Sequence, residues 1–361
     1  MTPGLTPVAS FTIYYSQFIK PDGQLAQPLP VFASADHLLN LYKTMLFTRI
    51  FNAKAIALQR TGRLGTFPSI EGEDAIGVAI GNAMDANDVF CPYYREFGAQ
   101  MLRGVTPEEI LLYWGGDERG SDFKTSHDFP FCVPIGSQLL HAAGVAYAFK
   151  LRKQPYCAVV GVGDGGTSEG DFYEAINVAG VWRLPLVVIV NNNQWAISVP
   201  LAKQTAAQTL AQKAIAAGFE GLQVDGNDVV AVEDAIRNAL EKARRGEGPT
   251  LIEAITYRLG DHTTADDAKR YRDATIVEEH RAGDPLLRLK YYLTEQKLLN
   301  ENLEQEWREE YQKQITAAVD RYLTIEPQPV NVMFDYLYAE LPNALQEQYQ
   351  TALTYANNES E

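Results

Sequence analysis

Cysteine is scarce: Cys91, Cys132 and Cys157 are the only three in 361 residues, and no CxxC pair occurs. An odd, scattered set inside apolar segments excludes a disulfide scaffold and argues against a zinc centre. It predicts reduced core thiols in a cytoplasmic protein. Positive charge is also short. Thirty-one lysines and arginines stand against 46 acids, a net charge of −15, which excludes nucleic acid and an anionic membrane surface as main partners. No apolar run reaches membrane-spanning length, and no internal repeat is visible. Residues 1–34 carry no basic leader with an apolar core, so no signal peptide is expected. What remains is a chain that is 46% hydrophobic, enough for one large globular domain or two ordinary ones.

The chain is organised around Cys157 to Ser198. Ala158–Val162 is a short, β-branched apolar run and reads as a buried parallel strand. It breaks at Gly163-Asp164-Gly165-Gly166, after which Phe172, Ala175, Ile176 and Ala179 recur at helical spacing. Leu186–Val190 is a second apolar run, ending in Asn191-Asn192-Asn193. Strand, helix, strand is a right-handed βαβ unit, so Asp164 and Asn193 should end neighbouring parallel strands at the carboxyl edge of the sheet, where open α/β sheets bind ligands. An aspartate and an amide oxygen are hard ligands suited to magnesium or calcium. The glycines allow backbone N–H groups to approach a phosphate. No Gly-Lys-Ser/Thr follows, which excludes a Walker loop. A nicotinamide-binding fingerprint would need an acid at the end of the next strand, where this chain has three asparagines. The plainer alternative is an aspartate capping a helix beside a polar strand end.

The flanking chain supplies further candidates. Residues 1–34 read as an extended aromatic arm with a turn at Pro21-Asp22-Gly23. A long helix runs to Leu58, capped by Ser34 or Asp36, and a second helix covers Glu73 to Met84. Val89–Tyr93 reads as a strand with Arg95 at its end, placed either to clamp a phosphate or to pair with Glu96. The segment 115–136 is too long for an ordinary connection; it carries Arg119 and His127, the latter a solvated loop residue or a catalyst. The helix Ser137–Lys150 has a face of small residues (Ala142, Ala143, Gly144, Ala146, Ala148) suited to tight core packing or to a subunit interface. Ala207–Ala217 reads as helical. A strand at Leu251–Tyr257 ends in a loop bearing His262, which the alternation of elements also puts at the carboxyl edge. The divisions expected are an arm (1–34), an α/β domain (35–280) and a helical C-terminal region (281–361).

GDG followed one crossover later by NN resembles the thiamine-diphosphate motif. With Tyr94-Arg95, GDGGTSEGDFYEAINVAG, NNQWAIS and YRLGDHTTADD, the chain from about Leu38 onward resembles the alpha subunit of the first, decarboxylating component of 2-oxo acid dehydrogenase complexes. The bacterial pyruvate branch is resembled most, through GRLG at 62–65 and LLYWGG at 111–116. The resemblance implies a three-layer thiamine-diphosphate-binding fold, with a parallel sheet between helices. It implies Mg2+ held by Asp164, Asn193 and the carbonyl of Trp195, and Gly165 and Gly166 facing the diphosphate. Tyr94, Arg95 and His262 would contact that diphosphate, with His262 assisting proton transfer. Val133 and Ile135 would meet the aminopyrimidine through their backbones. His127 would be the second catalytic histidine. Thr263, where some relatives carry a phosphorylated serine, argues against kinase control. The implied reaction is oxidative decarboxylation of pyruvate with acetyl transfer to a lipoyl-bearing dihydrolipoyl acyltransferase; a branched-chain or acetoin-type substrate is the alternative. The glutamate that activates the cofactor comes from a beta subunit, so an alpha2beta2 heterotetramer is implied, and this chain alone should bind cofactor poorly and not turn over.

Overall fold

The computed structural model describes residues 6, 8–124 and 126–358. Residues 1–5 and 7 of the expected arm, Thr125 of the long loop and residues 359–361 of the polar tail lie outside them. The main sheet contains β1 (Tyr15–Ser16), β2 (Val89–Cys91), β3 (Ala158–Gly163) and β4 (Leu186–Asn192). A small antiparallel hairpin, β5 (Trp195–Ala196) and β6 (Val199–Pro200), separates these from β7 (Glu220–Asp225) and β8 (Thr250–Ile255), which complete the sheet. The helices are α1 (Ala35–Arg60), α2 (Asp74–Ala83), α3 (Phe97–Leu102), α4 (Pro107–Trp114), α5 (Ser137–Leu151), α6 (Gly170–Val181) and α7 (Leu201–Gln204). They continue as α8 (Lys213–Ala216), α9 (Val229–Arg244), α10 (Ala274–Arg281), α11 (Pro285–Glu295), α12 (Glu301–Leu323), α13 (Val332–Asp335) and α14 (Asn343–Asn358).

All six strands of the main sheet run parallel, in the order β1-β7-β8-β4-β3-β2. Both faces are apolar because successive residues of a strand point to opposite sides. Val159, Val187, Ile189 and Ile252 enter a core with α1, α2, α9 and α11. Their neighbours Ala158, Val160, Val188, Val190 and Leu251 enter a second core with α5 and α6. Each such valine, leucine or isoleucine, when fully buried, stabilises the fold by about 1.5–3 kcal/mol. The steps from β2 to β3, β4 and β7 move one way across the sheet with α5, α6 and α8 on one face. The step from β7 back to β8 reverses and carries α9 on the other, as right-handed crossovers require. The expected three-layer α/β fold is the one observed.

Ser34 caps α1, accepting from the His37 N–H. Phe172, Ala175, Ile176 and Ala179 are the buried residues of α6, the four that the spacing selects. On α5, Ala142, Ala143 and Ala146 are core, whereas an added Cβ at Gly144 would meet nothing within 4 Å. The same helix exposes Leu140, Tyr147 and Leu151, and Tyr173 and Val181 of α6 are exposed with Trp182, which follows it. Core packing is thus the observed role of Ala142, Ala143 and Ala146, and a separate strip of larger apolar residues on α5 and α6 is open.

Three expected bounds are corrected. The strand expected at Leu251–Tyr257 is Thr250–Ile255. Val89–Tyr93 is strand only to Cys91; Tyr93 makes a single parallel bridge to Cys132. Ala207–Ala217 is helical only over Lys213–Ala216. The Thr205 and Thr209 hydroxyls accept from the N–H groups of Ala207 and Gln212, and such local bonds compete with the helix. The extended arm, by contrast, is seen as expected, lying on the main domain. Its β1 pairs with β7, and the buried Asp228 carboxylate accepts from the N–H groups of Phe18 (2.6 Å) and Ile19 (2.7 Å).

Residues 1–319 form one compact unit, within which Leu286, Leu289 and Leu293 of α11 share a core with α1 and α9. Residues 320–361 form a second, small unit, where Phe334 meets Tyr349 edge-on with ring centroids 5.3 Å apart. Among the described residues no helix is long and apolar enough to cross a membrane.

Candidate active site

Four loops meet at the carboxyl edge of the sheet. Asp164 follows β3 and Asn193 follows β4, with Gly163 and Asn191 in register on the two neighbouring strands. Tyr94 and Arg95 follow β2, and His262 lies on the loop after β8. They border one cavity of about 430 Å³, with Gly165, Gly166 and Trp195 on its wall and Val133 and Ile135 also lining it. The site residues expected from the sequence are thus brought together, His127 excepted. His127 is exposed and does not line this cavity.

The glycines are required by space. A Cβ on Gly165 would come within 2.6 Å of the Ala196 Cβ, and one on Gly166 within 2.5 Å of Val162 Cγ2. A side chain at either position would push the β5–β6 hairpin or the end of β3 out of place. The hairpin of β5 and β6 is pinned from behind by Arg258, a fully buried residue whose guanidinium donates to the carbonyls of Trp195 (3.4 Å) and Ile197 (2.8 Å).

The electrostatics divide the cavity into an anionic and a cationic side. Burial raises the Asp164 carboxyl to about 6, opposed by a 2.7 Å bond from Gln204 Nε2. On the other side Arg95, 3% exposed, donates to the Ser69 carbonyl (2.7 Å), the His262 carbonyl (2.7 Å) and His262 Nδ1 (3.0 Å). Arg258 also reaches Nδ1, at 3.3 Å. Guanidinium groups only donate, so Nδ1 must be the acceptor and the ring proton sits on Nε2. Burial and the two arginines hold the His262 pKa down to about 3. The imidazole is neutral across the physiological range, with its Nε2–H available to an anion. The His262 N–H donates to Asp266 at 2.9 Å, and the same loop is tied to Phe67 through Thr264.

Below this layer lie two buried glutamates: Glu73, which sequence reasoning missed, and Glu96, expected as a partner of Arg95; that arginine lies beside Glu73 instead. Glu73 accepts from Asn193 Nδ2 at 2.8 Å and from the Tyr93 hydroxyl, with Arg95 Nε at 3.5 Å. Glu96 accepts from the Tyr93 N–H (3.0 Å) and from Asn191 Nδ2 (3.1 Å), and burial pushes its pKa up to about 8. A Cβ at Gly161 would stand 1.9 Å from Glu96 Oε1, so that glycine makes room for the carboxyl over the strand. Glu73 did carry a signal. Glutamate is a poor N-cap compared with Ser, Thr, Asp or Asn, and at the N-cap of α2 it makes no capping bond. Arg258 carried none.

Among the described residues no cluster of three or more His, Cys, Asp and Glu side chains is placed to hold a metal. The candidate donors at the cavity are a carboxylate, an amide oxygen and a backbone carbonyl, a hard oxygen set of the kind magnesium takes with a phosphate ligand. Beside a glycine cradle and a buried arginine, that set fits a metal-bridged diphosphate.

The fold and the cavity place the chain in the class of open parallel α/β proteins with a cavity across the carboxyl ends of adjacent strands. Residues 42–328 match the family described as Dehydrogenase E1 component, and the chain belongs to that family, an oxidoreductase family whose membership implies thiamine diphosphate as cofactor. It is 39% identical over 336 residues to a protein of Mycoplasma genitalium named pyruvate dehydrogenase E1 component subunit alpha, covering 92% of this chain and 94% of the relative. Proteins of the same name from Staphylococcus aureus and Staphylococcus epidermidis are 40% and 39% identical, covering 87% and 92% of this chain and 86% and 91% of theirs.

Proposed function

We propose that this chain is the alpha subunit of a pyruvate dehydrogenase (acetyl-transferring) first component, working in the cytoplasm with thiamine diphosphate and Mg2+. The observation that carries the reading is the single cavity shared by Asp164, Gly165, Gly166, Asn193, Trp195, Tyr94, Arg95 and His262. Asp164, Asn193 and the Trp195 carbonyl would hold Mg2+, and the glycine N–H groups, Tyr94, Arg95 and His262 would hold the diphosphate. When bound, thiamine diphosphate supplies the nucleophilic carbon and the electron sink for decarboxylation. The chain's own part is to orient that group, to neutralise its anionic end with Arg95, and to keep a proton at His262 Nε2. Val133 and Ile135 would flank the aminopyrimidine. No step is assigned to His127.

The reading includes a beta subunit in an alpha2beta2 heterotetramer and a lipoyl-bearing dihydrolipoyl acyltransferase that accepts the acetyl group. The open apolar strip of α5 and α6 supports a partner chain, since contiguous exposed apolar surface marks interaction sites. Co-expression with a beta-type chain, followed by decarboxylation assays on pyruvate, branched-chain 2-oxo acids and acetoin, tests it. Turnover of pyruvate by the pair and silence of the chain alone are expected. Preference for a branched substrate would move the assignment, and full turnover by the chain alone would overturn the shared site.

A further inference from the structure

We infer that Glu73 is a positioning residue that presets Asn193 for a divalent cation; the inference rests on the metal reading above. An asparagine amide presents an oxygen and an NH2 of nearly the same shape, and only the oxygen can ligate a cation. Something must fix which way it faces. Glu73 Oε1 accepts from Asn193 Nδ2 at 2.8 Å. A carboxylate in this place takes only the NH2 side, so Oδ1 is turned away from Glu73. That oxygen accepts the Trp195 N–H at 3.1 Å and has a second lone pair for a cation.

Glu73 is built for this task rather than for its own helix. It occupies the N-cap of α2 yet makes no capping bond. Its side chain is buried, 3% exposed, and both oxygens are engaged: Oε1 by Asn193 with Arg95 Nε at 3.5 Å, Oε2 by the Tyr93 hydroxyl. One carboxylate thereby joins the start of α2, the end of β2 and the end of β4. The Asn193 amide reaches the cavity already oriented, so the cation need not pay to turn it.

The test uses the chain assembled with its beta-type partner and reads the Mg2+ concentration needed for thiamine diphosphate binding, by titration calorimetry. Glu73→Met removes the acceptor at similar bulk, and Glu73→Asp keeps the charge but withdraws it from Asn193. Both should raise the Mg2+ requirement about 10- to 100-fold, the usual effect of losing a partner behind a metal ligand. Glu73→Gln keeps one acceptor oxygen and should stay within about threefold of the parent. If Glu73→Met does not assemble, Glu73→Asp decides alone. The inference is overturned if Glu73→Asp stays within threefold of the parent, or if Glu73→Gln is as damaging as the other variants. A parent complex that binds thiamine diphosphate without any need for Mg2+ would instead sink the metal reading beneath it.

Discussion

The middle of the sheet and its carboxyl edge are both buried, and they are buried on opposite terms. In the middle, Val159, Val160, Val187, Val188 and Ile189 are wholly covered and apolar, and alternation alone assigns each to a face. A few residues further along the same strands Asp164, Asn191, Asn192 and Asn193 are buried too, as is Glu96 beyond the end of β2. There every group needs a polar partner, because an unpaired buried polar group costs roughly 1–3 kcal/mol. The middle is chosen for stability. The edge carries raised carboxyl pKa values and a guanidinium layer that burial opposes, the pattern of a site arranged for a ligand.

Three substitutions would break or sharpen that contrast. The largest effect is expected at the edge and only in binding. Asp164→Ala should weaken Mg2+-dependent thiamine diphosphate binding at least about a thousandfold, roughly 4 kcal/mol, in calorimetry of the assembled pair. Its melting without ligand at pH 7.5 should be unchanged or raised. Burial lifts the Asp164 carboxyl to about 6, so its contribution to stability is complete below about pH 3.8, lost as pH rises through 6, and absent at 7.5. Next comes the middle. Ile189→Ala leaves a cavity between β4 and the helices and should cost about 2–5 kcal/mol in denaturant melts. Its effect on Mg2+ requirement should be small; a large one would mean that the two regions are not separable. At the boundary the effect is spread over pH, and within any one pH unit it is the smallest of the three. Glu96 titrates at about 8 when folded and near 4.5 otherwise, so the folded chain keeps a proton that the unfolded chain has given up. Stability from that proton is complete below about pH 4.5 and declines toward pH 8 by at most about 1.4 kcal/mol per unit. Glu96→Gln should flatten that stretch of the stability–pH curve, and an unchanged slope would show that Glu96 is ionised.

The same contrast explains what could be read in advance. Leu186–Val190 and the helix face of Phe172, Ala175, Ile176 and Ala179 follow from period alone, since one requirement, apolar cover, acts on every position. Asp164, Asn193 and His262 were legible because the βαβ rule delivers strand ends to one edge. The roles of Glu73 and Arg258 were not, because they exist only after β2, β4 and β8 lie in one sheet. As residues of a linear chain the two are an acid before a helix and a base after a strand. The stretch 207–217 misled in the same way. Its alanines favour one long helix, yet the Thr205 and Thr209 hydroxyls take the N–H groups of Ala207 and Gln212, and only Lys213–Ala216 is helical.

The anchoring of the N-terminal segment by Asp228 has a consequence for biosynthesis. The two backbone N–H groups it receives, on Phe18 and Ile19, precede it by 210 and 209 residues. At about 5–20 residues per second, a ribosome makes that carboxylate on the order of ten to forty seconds after the segment it will hold. Throughout that interval Phe18, which is buried in the folded chain, lacks the acceptor that fixes its backbone, while Phe11, Tyr14 and Tyr15 stay exposed even after folding. The segment is therefore seated only after the chain has been made as far as Asp228.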